Sequence, residues 1–325
     1  MTRSWRIAIL SDVHYACAAE QAQGDDFEIR HLRNPLQRLL VKTYRHFVWL
    51  RHPTAQNARL DEFIAGAGKP DWVIANGDYS CDVNTVGLSD DATFQSAREC
   101  LDKLRGRFAP NLRANFGDHD LGKLSFLGGT GGMRLASLRR GREQLGMEPL
   151  WRVDLGNYVL LGVASSLVAL PLFEPDILPE ELAEWRRLAE EHLAGIRAVF
   201  AGLEPRQRVL LFCHDPSALP FLWRDETIRA KVPQIEQTII GHLHSNLVFW
   251  NSQWLAGMPR LNFLGPTAAR MSAALSEARH WRPFKVRLCP SLAGIELLKD
   301  GGYYTVELEE AAREPARFEF HRLKR

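Results

Sequence analysis

Five short apolar runs in this chain each end in an aspartate, a histidine or both, and this recurring pattern limits the folds open to it. Residues 6–10 lead into Ser11-Asp12-Val13-His14, and residues 72–75 into Asn76-Gly77-Asp78. Residues 112–116 lead into Gly117-Asp118-His119-Asp120. Residues 209–212 lead into Cys213-His214-Asp215, and residues 238–240 into Gly241-His242-Leu243-His244. Uninterrupted β-rich runs of this length read as strands buried on both faces. Polar residues just past such strands gather at one edge of an open α/β sheet, where these folds build sites.

Between the runs lie helical patterns. The clearest is 179–201, with Glu180 and Glu181 in its first turn and an apolar stripe of Leu182, Trp185, Leu188, Leu193, Ile196 and Val199. Further strands are expected at 261–264, 295–298, 303–308 and 318–321, with Gly301-Gly302 turning between two of them. The uncharged stretch 155–173 contains Asn157, Gly162, Ser165, Ser166 and Pro171, so a buried strand plus a loop is expected rather than a membrane span. No repeat or composition break divides the 325 residues. A single mixed-sheet α/β domain over 1–325 follows.

Composition sets the outer bounds. Apolar residues make up 46% and charged residues 25%, which excludes whole-chain disorder. The net charge of +2 disfavours nucleic-acid binding driven by bulk charge. Five scattered cysteines without a CxxC fit neither a disulfide framework nor a thiolate zinc site, and point to a reducing compartment. The apolar run at 7–10 is too short for a signal peptide, so a cytoplasmic protein is expected.

His14, His119, His214, His242 and His244 all stand at the strand ends, beside Asp12, Asp78, Asp118 and Asp120. Imidazoles with carboxylates suit borderline divalent ions such as Mn, Fe, Zn or Co. The set is too large for one tetrahedral zinc and fits two ions bridged by a carboxylate. Such a pair can clamp a phosphoryl group and bring the pKa of bound water to about 7, yielding hydroxide for attack on phosphorus.

These ordered motifs resemble the calcineurin-like metallophosphoesterase superfamily, whose pattern is DxH, GD, GNH(D/E), a lone His and GHxH. The corresponding residues here are Asp12-Val13-His14, Gly77-Asp78, Gly117-Asp118-His119-Asp120, His214 and Gly241-His242-Leu243-His244. The resemblance implies a two-sheet β-sandwich flanked by helices. It implies that Asp12, His14, Asp78 and His244 hold one metal, divalent or part of a mixed-valence pair, and that Asp78 bridges to a second held by Asp118, His214 and His242. It further implies that His119 contacts the scissile phosphate or protonates the leaving oxygen, and that Asp120 orients His119. One position departs: the family's Asn is Asp118 here. An ionised Asp keeps the ligand oxygen, loses the amide donor and adds a negative charge. It should tighten metal binding and repel dianionic monoesters more than monoanionic diesters, which favours a phosphodiester or pyrophosphate substrate over a monoester.

Two insertions, 29–60 and 121–142, are expected as basic caps or lids. The first holds Arg30, Arg33, Arg38, Lys42, Arg45, Arg51 and Arg59 and no acid. From Pro35 on, Leu36, Leu39, Leu40, Tyr44, Phe47 and Leu50 share one arc, with Arg38, Lys42, Arg45 and Trp49 opposite. Two readings of this helix are open. Either its apolar arc packs on the domain and its basic face is solvated, or 35–51 covers an anionic, even lipid-linked, substrate or meets a membrane surface. The second insertion has a glycine-rich hinge, Gly128 to Gly132, then Arg134, Arg139, Arg140 and Arg142. With Lys123, Arg134, Arg139 and Arg140 are expected to form a phosphate-binding rim. The alternative from another class, a catalytically idle scaffold binding a protein partner, is disfavoured because every ligand position retains a side chain able to bind metal.

Overall fold

A computed structural model describes residues 3–30, 32, 34–124, 130–259 and 266–323. Its centre is two five-stranded mixed sheets. The first sheet contains β1 (Ser4–Leu10), β2 (Trp72–Ala75), β3 (Leu112–Ala114), β9 (Gly302–Glu309) and β10 (Arg317–Arg322), in the order β10-β9-β1-β2-β3. The second contains β4 (Leu150–Leu155), β5 (Tyr158–Val163), β6 (Arg208–Cys213), β7 (Ile235–Ile240) and β8 (Val286–Leu288), in chain order. Strands β1, β2 and β3 run parallel, as do β5 through β8. The four strands β1, β2, β6 and β7 therefore release their ligand-type residues at C-terminal edges.

Alternation explains the layers. Ile7, Ile9, Leu160, Leu210, Phe212 and Ile239 pack between the sheets, while Ala8, Leu10, Val159, Leu161, Val209 and Leu211 face the helical layers. Both faces of the central strands are covered, which is why those strands read as unbroken apolar runs. Edge strand β4 reads differently: Trp151, Val153 and Leu155 are buried, and Arg152 and Asp154 point outward. It carries no unbroken run, and the sequence reading passed over it.

The helical layers hold α1 (Ala18–Gln21), α2 (Pro35–Phe47), α3 (Ala58–Gly66), α4 (Asp91–Phe108), α5 (Asp118–Leu121), α6 (Leu135–Glu143), α7 (Ser165–Val168) and α8 (Leu170–Phe173). They also hold α9 (Leu182–Ala201), α10 (Leu219–Arg224), α11 (Glu226–Lys231), α12 (Asn246–Trp254) and α13 (Pro266–Glu277). The stretch expected as strand plus loop is β5 followed by α7 and α8. The strand expected at 295–298 is a turn, because Asp300 accepts the Ile295 N–H at 3.0 Å and Lys299 N–H returns to the Ile295 carbonyl at 2.8 Å. Gly302 opens β9 instead of turning between two strands. The strand expected at 261–264 lies outside the described residues.

Of the two readings of the first insertion, packing of the whole apolar arc on the domain does not hold. In α2 the contacts with the body come from the basic side, where Lys42 pairs with Asp26 at 2.5 Å and the buried Arg45 lies over the Phe27 ring, while Arg38 stays exposed. Five of the six arc residues face outward, Leu36, Leu39, Leu40, Tyr44 and Phe47 being between 50% and 62% exposed, while Leu50 is buried. In the second insertion Gly128 and Gly129 lie outside the described residues. Gly132 N–H is bonded to the Thr85 carbonyl, so the described end of that run is pinned to the body.

His192 on α9 gives this core a pH signature. It is 7% exposed, and burial pushes its imidazole down to about 4 despite a hydrogen bond to the Ala164 backbone. A histidine held neutral in the fold, and near its ordinary 6.5 when unfolded, adds stability that is complete above pH 6.5. That stability is lost as pH falls toward 4, by roughly 3 kcal/mol. Denaturant titrations at several pH values should show His192→Leu losing less stability than the parent between pH 6.5 and 4. Parallel curves would contradict this account.

Candidate metal centre

The strand ends meet in one cluster, with Asp12, Asp78, Asp118 and His214 buried and His14, His242 and His244 half-buried. Ligand-type atoms of Asp12, His14 and His244 form one close group, those of Asp118, His214 and His242 a second, and those of Asp12, Asp78 and His214 a third linking them. All seven residues expected as ligands are therefore together. His214 Nε2 lies 3.1 Å from Asp78 Oδ2 and 3.3 Å from Asp118 Oδ1, and His14 and His244 face each other through Nε2 atoms 3.3 Å apart.

The backbone is bent to achieve this. Ten non-glycine described residues have positive φ, and five of them are Asp12, His14, Asp78, His242 and His244. The left-handed region costs such residues about 1–2 kcal/mol each, and strain of this kind persists where surrounding structure enforces it. Close approach is enforced as well. A Cβ on Gly117 would sit 2.0 Å from Asp78 Oδ1, and one on Gly241 would sit 2.4 Å from Asp12 Oδ2.

Backbone carbonyls set the imidazoles. His214 Nδ1 donates to the Asn76 carbonyl at 2.5 Å and His14 Nδ1 to the Ser80 carbonyl at 3.1 Å, which turns each Nε2 into the cluster. Carboxylates are held similarly: Asp12 accepts from Ser11 Oγ and the His242 N–H, and Asp78 Oδ1 accepts from the His119 N–H. Asp78 Oδ2 and His214 Nε2 are nevertheless buried without a hydrogen-bond partner. Unsatisfied buried polar atoms aimed at one another are what a site for cations leaves in their absence. The chain thus fits the metals its motifs imply.

The electrostatics follow from burial and crowding. Burial pushes Asp12 up, and Asp78 adds to the effect. Burial opposes ionisation of Asp78, yet the charge of His214 overrides it and holds Asp78 below the usual range. Asp118 is likewise held low against burial, by His242 and by Lys123, whose Nζ stands 2.7 Å from Asp118 Oδ2. Burial lowers His244 well below its ordinary value, and neighbouring His14 and Lys123 add to that.

Asp120 does not orient His119. Its carboxylate accepts backbone N–H groups of Asp78, Tyr79 and Gly117 at 3.0, 3.1 and 2.8 Å, and so fixes the turns that present Asp78 and Asp118. The carboxylate facing His119 is Asp82, fully buried, with Oδ2 3.9 Å from His119 Nδ1. Neither atom has a hydrogen-bond partner. Burial and the Lys123 charge bring His119 down to about 3, and burial holds Asp82 well above the carboxylate range. The sequence reading missed Asp82; its signal was a second acid four residues after Asp78. Of the expected basic rim, Lys123 reaches the cluster. Arg134 donates to the Met133 and Gly131 carbonyls, Arg140 is tied to Asp91 and the Ser89 carbonyl, and Arg139 is exposed on α6.

No family model matches the chain, and no curated protein matches it. Among solved structures, a dimetal phosphatase from Danio rerio matches with a TM-score of 0.50 and 13% identity, over 97% of this chain and 95% of that one. The chain has the metallophosphoesterase fold. A purple acid phosphatase from yellow lupin (Lupinus luteus) seeds also matches, with a TM-score of 0.43 and 11% identity, over 99% of this chain and 52% of that one.

An asparagine pair beneath the site, also missed in the sequence, locks the two sheets together. Asn115 Nδ2 donates to Asn76 Oδ1 and the Phe212 carbonyl at 2.8 and 3.1 Å, while its Oδ1 accepts from Trp151 Nε1 at 2.7 Å. Asn115→Ala leaves those buried groups unpaired at about 1–3 kcal/mol each, partly relieved by relaxation. Urea denaturation should show a loss of about 2–4 kcal/mol. A loss below about 0.5 kcal/mol would remove the network from this account.

Proposed function

We propose that this chain is a metal-dependent phosphoric ester hydrolase that works with two divalent ions. The observation carrying this reading is the convergence of seven ligand-type side chains with Asp78 Oδ2 and His214 Nε2 left unsatisfied among them. Asp12, His14 and His244 would hold one ion, Asp118, His214 and His242 the other, with Asp78 shared. The mixed imidazole and carboxylate set suits Mn, Fe, Zn or Co. Bound ions of this kind polarise phosphoryl oxygens and supply the nucleophile at neutral pH.

The remaining residues act on the substrate and on protons. His119 would serve the leaving oxygen through Nε2, the ring nitrogen turned away from Asp82. Asp82, whose Oδ2 stands 3.9 Å from Nδ1 of the same ring, is its positioning residue. Lys123 changes the reading of Asp118. Alone, the extra carboxylate would favour diesters and pyrophosphates; the ammonium at 2.7 Å cancels its charge and restores a donor. We infer that the Asp118–Lys123 pair together replaces a neutral amide, admits monoesters, and becomes selective for diesters or pyrophosphates only where Lys123 is drawn away. Five buried cysteines, none of them in a disulfide, support a cytoplasmic setting.

Hydrolysis of an aryl phosphate monoester and an aryl diester, assayed with Mn, Zn, Co and Fe, tests the reading. Activity should require metal and vanish in Asp78→Asn. His119→Ala should keep its metal and lose roughly 10²–10⁴ in kcat. Lys123→Ala should lower monoester kcat/KM relative to diester by about one to two powers of ten, and adding Asp118→Asn should restore the ratio. Absence of hydrolysis with every metal, or full activity in Asp78→Asn, would overturn the assignment. An unchanged ratio in Lys123→Ala would remove the pair from selectivity.

A further inference from the structure

Eleven large apolar side chains are well exposed among the described residues, and ten of them fall on three neighbouring segments. Five are the outward arc of α2, three belong to α12 and the residue after it, and two form the turn at Leu297 and Leu298. Backbone bonds join α2 to that turn: the Val48 and Trp49 carbonyls accept the Leu297 and Glu296 N–H groups. Asp300 joins the turn to α12, accepting from Ile295 N–H and from Ser245 Oγ, the N-cap of that helix. The three segments border the metal centre. Trp49 lies 5.0 Å from the His244 ring, and α12 begins two residues after His244.

The chemistry of the surface selects its occupant. A helix bound to its own domain through Lys42 and Arg45 holds its Leu and Phe side chains in water, which is unfavourable unless another apolar phase receives them. Arg30, Arg38 and Arg51 are exposed in the same stretch from 29 to 60, which itself holds no acid, and Arg51 stands 4.0 Å from Glu296 beside the 297–298 turn. Trp250 and Trp254, 64% and 85% exposed, and Tyr44 supply the amphipathic rings that favour a lipid headgroup boundary. No helix of the described residues is long and apolar enough to cross a membrane, so the contact is with a surface. A second copy would bring the same cations against one another.

We propose that the outward faces of α2 and α12, with the 297–298 turn, form one docking surface for an anionic lipid bilayer. Docking sets the mouth of the metal centre against the lipid, where an amphiphilic phosphate ester can enter past Trp49. The substrate part rests on the hydrolase reading; the docking part does not.

Sedimentation of the metal-reconstituted full chain with phosphatidylcholine vesicles, with and without phosphatidylglycerol, tests the proposal. The parent should bind, and bind more tightly with phosphatidylglycerol. Leu40→Glu/Phe47→Glu should lower binding at least about tenfold, since each side chain leaves the apolar phase. Its thermal unfolding and its hydrolysis of a soluble aryl phosphate should match the parent. Arg38→Glu should weaken binding to anionic vesicles only. Asp78→Asn should bind as the parent does, so failure of the hydrolase reading appears in the aryl phosphate assay and not in sedimentation. No binding by the parent, or equal binding by the double variant, overturns the proposal. A parent dimer by light scattering that the double variant dissolves, without vesicle binding by either, assigns the face to a second copy and also overturns it.

Discussion

Three buried carboxylates, a buried imidazole and three half-buried ones are held within a few ångströms of one another, and the architecture around them is arranged to make that tolerable. Burying an uncompensated carboxylate costs several kcal/mol, and a neighbouring carboxylate adds to the cost. The opposing shifts of Asp12 and Asp78 are the result: proximity to His214 rescues one charge more than the other. Left-handed backbone at five ligand-type residues, glycines at two points of close approach, and the three N–H bonds to Asp120 all hold together groups that would separate in solution. Cations between them would turn that strain into pre-organisation.

The sheets and the cluster were largely legible in the sequence because each depends on a strong local signal. A strand covered on both faces must be apolar throughout, so β1, β2, β6 and β7 announce themselves, and their ends mark the site. What escaped depends on long-range geometry. Strand β4 alternates because one face meets solvent. Asn115 and Asn76 look like ordinary turn residues until Trp151 and Phe212 come from the other sheet. Asp120 looks like a histidine's partner because it adjoins His119, whereas its distance from Asp78 in the chain hides the bonds it makes there. For α2 the periodicity was clear but its sign was not: sequence shows two faces and cannot say which one the domain takes.

The Asp118–Lys123 pair shows how a departure from a motif can be absorbed. A neutral amide supplies an oxygen and a donor on one side chain; in the proposed site a carboxylate would supply the oxygen and the ammonium paired with it, five residues later, the donor. The pair keeps the local charge balanced. It also makes Lys123 part of the same unit as His119, whose imidazole its charge helps hold neutral.

The account stands on the cluster being a binding site for two ions. Elemental analysis of gently purified protein, reconstituted with manganese and freed of excess metal, measures that directly. Two ions per chain are expected in the parent, and loss of both in Asp78→Asn, because the shared carboxylate serves each. A reproducible value at or below one ion per chain in the parent would contradict the two-ion centre.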